Sequence, residues 1–327
     1  MNPLPACFYC SGGSHEPFLE NVRNRLREDP SRWAYRRCQR CGSAHLFPRP
    51  GPGEAAFFYP AVYDFTPEIL RQKNFFLRGL ARIEYRLFFE PKFKAQARRV
   101  VRGTGSRNPA GRRVLDIGCG GGLRLLAFRR YGYRIHGTDF RPEVVEVLKN
   151  QWGIPAVCTD AGETAQHFPP ASFDLITAFH VLEHVPDVQL ALGNCFKLLK
   201  PGGWFVAAVP LLDSFQAGLL KSRWAGADAP YHLSLPSREG IRRVCGQAGF
   251  EKVSIRPDSV FECAGMAVLS LLRGTATTYR YTRGGLTSFL TSLLAGSLGL
   301  LLIPWCLLEN HLWRQPASGL VFAHKPG

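Results

Sequence analysis

The chain has 327 residues, of which 46% are hydrophobic and 20% charged, and its formal net charge at pH 7 is +16. This composition excludes wholesale disorder, and the length leaves room for one full-sized domain with a smaller one beside it. The excess of basic residues predicts an anionic partner, either nucleic acid or acidic lipid headgroups.

Two cysteine pairs with metal-ligand spacing lie near the N-terminus. No basic start followed by an apolar run precedes them, so we expect no secretory signal and a reducing, cytoplasmic setting. Each C-x-x-C turn points two thiolates toward one tetrahedral site, and two such turns complete a closed zinc site. The sequence therefore predicts a structural zinc ion in a module over residues 1–66, with four ligands: Cys7, Cys10, Cys38 and Cys41.

A basic segment with helical periodicity follows over residues 67–111. An apolar stripe recurs in it at helical spacing: Phe76, Leu80, Ile83 and Leu87. Pro91 is expected to divide the segment into two helices. Residues 71–113 contain thirteen Lys or Arg against two Glu, a net charge of +11. Two interpretations stay open: a solvated basic face above a core-facing stripe, or a surface that contacts an anionic membrane or RNA.

The stretch "RVLDIGCGGG" at 113–122 predicts a buried parallel strand that ends in a glycine turn, with a helix from about Leu123. Gly118, Gly120 and Gly122 would let a ligand approach the backbone at the carboxyl end of this strand. A glycine-rich loop alone is weak support for a binding site, so its context decides.

Four further strands follow this loop. "YRIHGTD" ends at Asp139, which is placed to accept hydrogen bonds from ribose hydroxyls, and "PAVCTD" ends at Asp160. "FDLITAFHVLEHV" is the fourth predicted strand, and "LKPGGWFVAAVP" brings a glycine turn into the fifth. Alternating strands and helices predict an α/β fold with a doubly wound, mainly parallel sheet.

With these segments the chain resembles the class I S-adenosylmethionine-dependent methyltransferases. The matching residues are "VLDIGCGGG", "GTDF", "CTDA", "FDLI…HVLEHVPD" and "LKPGGW", within a core over about 112–258. A dinucleotide-binding fold would instead show G-x-G-x-x-G. The resemblance implies a seven-stranded Rossmann-like sheet that binds S-adenosyl-L-methionine. It implies these cofactor-binding residues, from the methionine end to the adenine: Asp116, Gly118, Gly120, Gly122, Asp139, Phe140, Asp160 and Ala161.

By this resemblance Asp139 binds the ribose, Phe140 lies against the adenine, and Asp160 reads the adenine edge together with the Ala161 amide. The N-terminal cysteine module is similar to a zinc-binding leader found in a group of bacterial small-molecule methyltransferases. "PYHLSLPSREGIRRVCGQAGF" at 230–250 also resembles a passage of that group.

Four residues are candidate bases near the carboxyl ends of the strands: His180, Glu183, His184 and His232. For His180 and His184 the alternative is a structural role, in which the imidazole is hydrogen-bonded at the start of a helix. The pattern His180-x-x-Glu183-His184 resembles the Glu-x-x-Glu-His of ubiquinone-type O-methyltransferases, which hold a divalent ion there. Because magnesium prefers oxygen ligands and the first Glu is His here, no catalytic metal is predicted.

The last feature is an apolar insertion over 259–317. "FEKVSIRP" (250–257) and "SGLVFAHKP" (318–326) are predicted as neighbouring antiparallel strands, so both ends of the insertion return to one sheet. Residues 284–308 carry no charge, but Pro304 interrupts them. We expect a helical hairpin that enters one leaflet or packs over the substrate pocket without crossing a membrane. A buried cap or a dimer interface is the alternative.

Together these features predict methyl transfer to a small, lipid-like or membrane-presented acceptor by a cytoplasmic protein, peripheral on the inner face of the membrane. The anionic membrane surface is one expected partner, and nucleic acid is a less favoured one. Two other functions stay open, an RNA base methyltransferase and a non-catalytic cofactor-binding protein. The oligomeric state is not predicted.

Overall fold

The computed structural model describes residues 6–23, 32–50, 83, 86–87, 90–106, 108–272 and 286–327. Most of the basic segment predicted over 67–111 therefore lies outside the described residues, including Phe76 and Leu80 of its apolar stripe. The two described members of that stripe, Ile83 and Leu87, are more than half exposed and do not face the core.

Eleven strands occur within the described ranges: β1 (His15–Arg23), β2 (Arg32–Cys38), β3 (Ala44–Phe47), β4 (Arg113–Ile117), β5 (Arg134–Asp139), β6 (Ala156–Cys158), β7 (Phe173–Phe179), β8 (Leu199–Pro210), β9 (Ser234–Leu235), β10 (Glu251–Pro257) and β11 (Ser318–His324). Nine α-helices accompany them there: α1 (Glu90–Gly103), α2 (Leu123–Arg129), α3 (Pro142–Trp152), α4 (Val188–Leu198), α5 (Phe215–Leu220), α6 (Arg238–Gln247), α7 (Val260–Leu271), α8 (Leu286–Leu301) and α9 (Ile303–Leu307).

The main sheet has seven strands in the order β10-β11-β8-β7-β4-β5-β6. β8, β7, β4, β5 and β6 are parallel, whereas β11 is antiparallel to both of its neighbours. Crossover helices cover both faces of such a sheet, which is why its central strands read as continuous apolar runs. The predicted Rossmann-like architecture is confirmed, with the antiparallel pair at one edge.

Three strand boundaries differ from the prediction. β7 ends at Phe179, because His180 adopts a left-handed conformation with φ 55° and a 3₁₀ turn over Leu182–His184 follows. β6 stops at Cys158, two residues before Asp160. β8 already begins at Leu199, so the predicted glycine turn lies within the strand, where its pairing with β7 shifts register.

The N-terminal residues form a second, antiparallel sheet in the order β1-β2-β3-β9. β9 belongs to the predicted core, and its pairing with β3 brings residues 234–235 into this sheet. Tyr9 Oη lies 2.8 Å from Ser234 Oγ, and Ser43 Oγ lies 3.2 Å from Ser237 Oγ. The cysteine module is therefore built against the methyltransferase-like core through shared strand pairing.

The insertion between β10 and β11 is helical, as predicted. It contains α7, α8, α9 and a π-helical turn over Leu308–Leu312, and α8 ends at Leu301 just before Pro304 in α9. In the described part of the chain, no single helix is both long and apolar enough to cross a membrane. The bent pair Leu293–Leu301 and Ile303–Leu312, with 56° between its halves, reaches that length and composition when taken together.

Candidate active site

The glycine turn after β4 opens the carboxyl edge of the sheet. A side chain at Gly118 would approach Val181 Cγ2 to 2.7 Å, and one at Gly122 would approach Leu148 Cδ2 to 2.4 Å, so both positions have no room for a larger residue. At Gly120, with φ 49°, an added Cβ would meet nothing within 4 Å. The backbone at Gly120 therefore faces open space that a ligand can enter.

Asp139 lies at the end of β5, directly against this turn. Its Oδ2 accepts a hydrogen bond from Gly120 N at 3.0 Å, and its Oδ1 accepts two from Arg141, from the backbone N and from Nε, both at 3.1 Å. A carboxylate offers about four acceptor positions, so one is left for a ribose hydroxyl. Binding of a second hydroxyl requires the Arg141 guanidinium to move.

Asp116 is completely buried below the turn. Thr177 Oγ1 donates to its Oδ1 at 2.6 Å, and Arg124 lies 3.5 Å from its Oδ2 while covering the Phe179 ring at 3.8 Å. Burial raises the pKa of Asp116, and the Arg124 charge opposes that rise. These contacts anchor α2 beneath the open space, and the predicted contact of Asp116 with methionine stays a prediction.

The residues predicted at the adenine lie just beyond β5 and β6. Phe140 is 44% exposed, with the Arg141 guanidinium 5.7 Å from its ring centre. Asp160 is exposed and accepts a hydrogen bond from Glu163 N at 3.0 Å, while Ala161 is half-buried. These residues form an accessible rim beside Asp139, and their contact with the adenine stays a prediction.

His180 joins the β7 end to the apolar insertion. Its Nδ1 lies 3.4 Å from Glu183 Oε1, and its Nε2 lies 3.4 Å from Glu262 Oε1 in the first turn of α7. Lys92 Nζ of α1 lies 2.6 Å from the other oxygen of Glu262. Four charged side chains from three parts of the chain thus meet at this edge of the sheet.

These contacts set the protonation of His180. Burial alone lowers the pKa of this imidazole, but hydrogen bonds and charges from Glu183 and Glu262 outweigh it and raise the pKa to about 10. Burial likewise tends to raise the pKa of Glu183, yet the nearby histidines lower it to about 2. His180 is therefore an imidazolium at neutral pH and has no free lone pair to accept a proton.

His184 and His232 pack edge to face, with ring centres 4.7 Å apart and 75° between the ring planes. His184 Nδ1 lies 2.8 Å from Tyr231 O and His232 Nδ1 lies 2.7 Å from Gly226 O. Because a carbonyl only accepts, both Nδ1 atoms carry a proton, so Nε2 is the basic atom of the His184 ring. Burial and the charge of His232 lower the pKa of His184 to about 4.

Glu183, His184 and His232 place three potential metal-ligand atoms within 4.8 Å of one another. The backbone carbonyls on the two Nδ1 atoms orient the rings as they are oriented in many metal sites. No catalytic metal was predicted from the sequence, because His180 stands where the Glu-x-x-Glu-His pattern has its first Glu. The fold brings His232, which lies outside that pattern, to the same place as a further potential ligand. The absence of a catalytic metal stays a prediction.

The four N-terminal cysteines are buried and close together. Cys7 Sγ lies 3.5 Å from Cys41 Sγ, Cys10 Sγ lies 3.6 Å from Cys38 Sγ, and all four sulfurs fit within 4.8 Å. This spacing fits a tetrahedral four-thiolate zinc site. His45, which the sequence did not single out, brings Nε2 to 3.2 Å from Cys7 Sγ and lies outside the predicted ligand set.

The sequence did not identify five charged residues that the fold brings to the site: Lys92, Arg99, Arg124, Asp258 and Glu262. Asp258 is almost completely buried and pairs with Arg99, 3.6 Å away. The available signal was Glu262, a carboxylate in the otherwise apolar run "VFECAGMAVLSLL". A charge in such a helix needs a buried partner, but the partner itself lies on distant elements of the chain.

Comparisons with known proteins agree with this architecture. Residues 89–255, slightly more than half of the chain, match the family described as a methyltransferase domain. A ubiquinone biosynthesis O-methyltransferase of Idiomarina loihiensis is 41% identical over 156 residues, which are 44% of this chain and 64% of that protein. One of the same name from Coxiella burnetii is 40% identical over 98 residues, covering 28% of this chain and 41% of that protein.

The matched regions thus span between about two fifths and two thirds of these relatives' own length. Among solved structures, phosphoethanolamine N-methyltransferase 2 of Haemonchus contortus, in complex with S-adenosyl-L-methionine, is similar with a TM-score of 0.51 and 16% identity. That similarity covers 94% of this chain and 72% of the other, and it concerns the fold alone.

Proposed function

Because the chain belongs to the S-adenosylmethionine-dependent methyltransferases, we propose that it methylates a hydroxyl group of a small, lipid-like acceptor that reaches the site from a membrane surface. The observation that carries this proposal is the contact between Glu262 of the apolar insertion and His180 at the carboxyl edge of the sheet. An insertion fixed to this edge is well placed to deliver an apolar acceptor. The relatives named as ubiquinone biosynthesis O-methyltransferases support an oxygen atom as the acceptor.

The cofactor would lie at the open edge between β4 and β5. Gly120 leaves space there, Asp139 keeps an acceptor position for ribose, and Phe140 with Asp160 would border the adenine. When bound, S-adenosylmethionine supplies an electrophilic methyl group, so the protein has to hold the acceptor oxygen in line with that carbon and remove its proton.

We propose His184 as the group that takes this proton. Its low pKa, about 4, keeps the ring neutral at physiological pH, and its Nδ1 proton is committed to the Tyr231 carbonyl. The acceptor hydroxyl would transfer its proton to His184 Nε2 as the oxygen attacks. His180 does not serve as this base because it is already charged, and with Glu183 it instead forms a fixed ion pair beside the site.

The exposed surface of the insertion supports a membrane as the source of the acceptor. Of seventeen large hydrophobic residues that are exposed in the described chain, twelve lie in the insertion, and the most exposed is Leu301 at 77%. A concentration of this kind marks an interaction surface rather than ordinary solvent-facing residues.

A basic groove lies beside this apolar surface. It is lined by cationic side chains of α1 and of the residue after α2: Lys94, Arg98, Arg99, Arg102 and Arg130. Lys92 of α1 pairs with Glu262 of α7, so the basic and apolar surfaces adjoin. Basic and apolar signals together provide the peripheral anchoring that one signal alone does not.

The four cysteines are proposed to bind one structural zinc ion. Their sulfurs have the spacing of a closed site, which leaves no position for a reacting molecule. The role of the zinc would be to hold the turns of the N-terminal sheet that packs on the core.

The test is a transfer of tritiated methyl groups from S-adenosylmethionine, offered in parallel to a bacterial total lipid extract in vesicles and to total RNA. We expect radioactivity in the organic phase, and we expect His184→Gln to lower it at least about tenfold. The matched variant His167→Gln, at an exposed residue that ends the 3₁₀ turn Thr164–Gln166, should retain it. Incorporation into RNA alone would replace this proposal by the RNA methyltransferase alternative. Incorporation into neither, with intact cofactor binding, would refute both acceptors and favour a non-catalytic binding protein.

A further inference from the structure

The apolar insertion contains a second cluster of metal-ligand side chains. Cys306 and Glu309 lie three positions apart along α9 and the π-helical turn that follows, and Cys263 faces them from α7. All three residues are at most 1% exposed, and their sulfur and oxygen atoms lie within 4.8 Å of one another. The sequence alone indicates no role for these three residues.

The carboxylate of Glu309 has no compensating charge in the described part of the chain. Its Oε2 accepts hydrogen bonds from Gln216 Nε2 and from Cys263 Sγ, both at 2.8 Å, and neither donor is charged. Its Oε1 has no hydrogen-bond partner among the described residues. A completely buried carboxylate with two neutral donors and an orphaned oxygen is strongly disfavoured unless a cation accompanies it or a proton neutralises it.

We propose that a zinc ion binds between Cys263, Cys306 and Glu309 and clamps α7 to the end of the insertion. Two thiolates and a carboxylate match the ligand preference of zinc. Binding would release the two thiol protons, so the ion and its three anionic ligands together carry a net charge of −1. The ion would give the buried carboxylate of Glu309 a direct partner.

Gln216 borders the site without being a ligand. Its Nε2 donates to the Cys263 backbone oxygen at 3.1 Å and to Glu309 Oε2 at 2.8 Å, and it lies 3.2 Å from Cys263 Sγ. A flipped amide would place Oε1 against that backbone oxygen, so the nitrogen stays on the side of the cluster. The proposed ion would therefore be held by three protein ligands, with its fourth position left to a water molecule.

A disulfide between Cys263 and Cys306 explains the cluster less well. Oxidation would remove the thiol that now donates to Glu309 Oε2, and it would leave the carboxylate with fewer partners than before. A metal ion satisfies both thiols and the carboxylate at once.

The clamp would act next to the candidate active site. Cys263 directly follows Glu262, whose carboxylate lies 3.4 Å from His180 Nε2. A metal ion that fixes the first turn of α7 would therefore also fix the charge that faces His180.

The first experiment counts zinc in the full chain, purified under reducing conditions without added metal, by elemental mass spectrometry. We expect two zinc ions per chain, falling to one in Cys306→Ser and to one in Cys38→Ser, whose site is the N-terminal one. The control is Cys245→Ser, a buried core cysteine outside both clusters, which should keep two. One zinc in the parent chain that Cys306→Ser leaves in place would overturn the proposal.

A second measurement uses the unaltered chain, so its result does not depend on whether the variants fold. Zinc absorption spectroscopy should show an average of about three sulfur ligands per zinc, because a four-thiolate site is averaged with a two-thiolate one. An average of four sulfurs, or a Cys263–Cys306 disulfide in peptide mapping, would overturn the proposal.

Glu309→Gln separates a metal site from a merely buried acid. If zinc binds, the variant loses one zinc and melts at a lower temperature. If no metal binds, removal of a buried charge leaves the melting temperature unchanged or raises it, and that result would contradict the clamp.

Discussion

Replacing Glu262 by Gln tests whether the insertion controls the charge of His180. The substitution preserves size and hydrogen-bonding capacity but removes one of the two carboxylates that raise the pKa of His180 to about 10. Glu183 remains from the turn after β7, and Asp258 remains before α7. Lys92 of α1 loses its ion-pair partner and then repels the imidazolium.

The expected fall in the pKa of His180 follows from the distance between its imidazole and the Glu262 carboxylate. Opposite charges about 4 Å apart near a protein surface interact by about 4 kcal/mol. The His180 side chain is 33% exposed, and solvent screening roughly halves that figure, to about 2 kcal/mol. At 1.36 kcal/mol per pKa unit, the loss of this interaction lowers the pKa by about 1.5 units, so we expect His180 to titrate at about pH 8.5 in the variant.

The assay is a nuclear magnetic resonance titration of chains with isotopically labelled histidine, from pH 6 to pH 11. Glu239→Gln is the matched control, because Glu239 forms an exposed pair with Arg243 within α6. A parent His180 that titrates near 6.5, or one that titrates at the same pH in both chains, would show that Glu262 does not hold the proton on His180.

The same shift has a consequence for stability. A histidine whose pKa is raised on folding stabilises the native state fully below its unfolded value of about 6.5, and this contribution is lost as the pH rises toward 10. In the variant this stabilising contribution of His180 should be completely lost by about pH 8.5. Between about pH 8.5 and pH 10 the parent chain should therefore lose stability in urea unfolding from this group, and the variant should not.

Four further outcomes are expected. Asp139→Asn should weaken S-adenosylhomocysteine binding by about ten- to a hundredfold in calorimetry, since a hydrogen bond to a charged group contributes about 1.5–3 kcal/mol; Asp174→Asn at the opposite edge of the sheet should not, and equal losses would remove Asp139 from the site. His184→Gln should lower kcat at least about tenfold, and the parent rate should rise with pH through about 4, the pKa of His184; a rate unaffected by the substitution would exclude it as the base. Cys38→Ser should lower zinc content and melting temperature with cofactor affinity retained, and unchanged metal content would end the N-terminal zinc assignment. Replacing 284–308 by a short Gly-Ser bridge should reduce flotation with anionic vesicles, which salt should weaken only partly because apolar burial is not screened; flotation equal to that of the parent would exclude this segment as the anchor.

The parts of the site that follow from local sequence could be predicted. Gly120 and Asp139 come from a strand-turn-helix pattern and the strand beside it, and parallel strands bring their carboxyl ends to the same edge. The antiparallel strands β10 and β11 at one side of the sheet were likewise evident from alternation and position. These features depend on neighbours in sequence or on a sheet order that the family fixes.

The charge of His180 could not be predicted, because it depends on Glu262 from an insertion far along the chain. Spacing alone related His180 to Glu183 and suggested a base, whereas the fold adds a second carboxylate and makes the ring a stable cation. The end of β7 was placed too late for a related reason. Val181, Leu182 and Val185 prolong the apolar pattern of the strand, but the positive φ of His180 turns the chain away from the sheet.

The short pairing of β9 with β3 limits how this protein can be redesigned. Leu46 N donates to Leu233 O at 3.0 Å and Tyr35 Oη donates to His232 O at 2.8 Å, so the N-terminal sheet holds the backbone that carries His232. A chimera that replaces the first fifty residues with those of another enzyme would also change the position of that imidazole. Exchange of acceptor preference between relatives would therefore require the leader and the loop around residues 230–237 to be grafted as one unit.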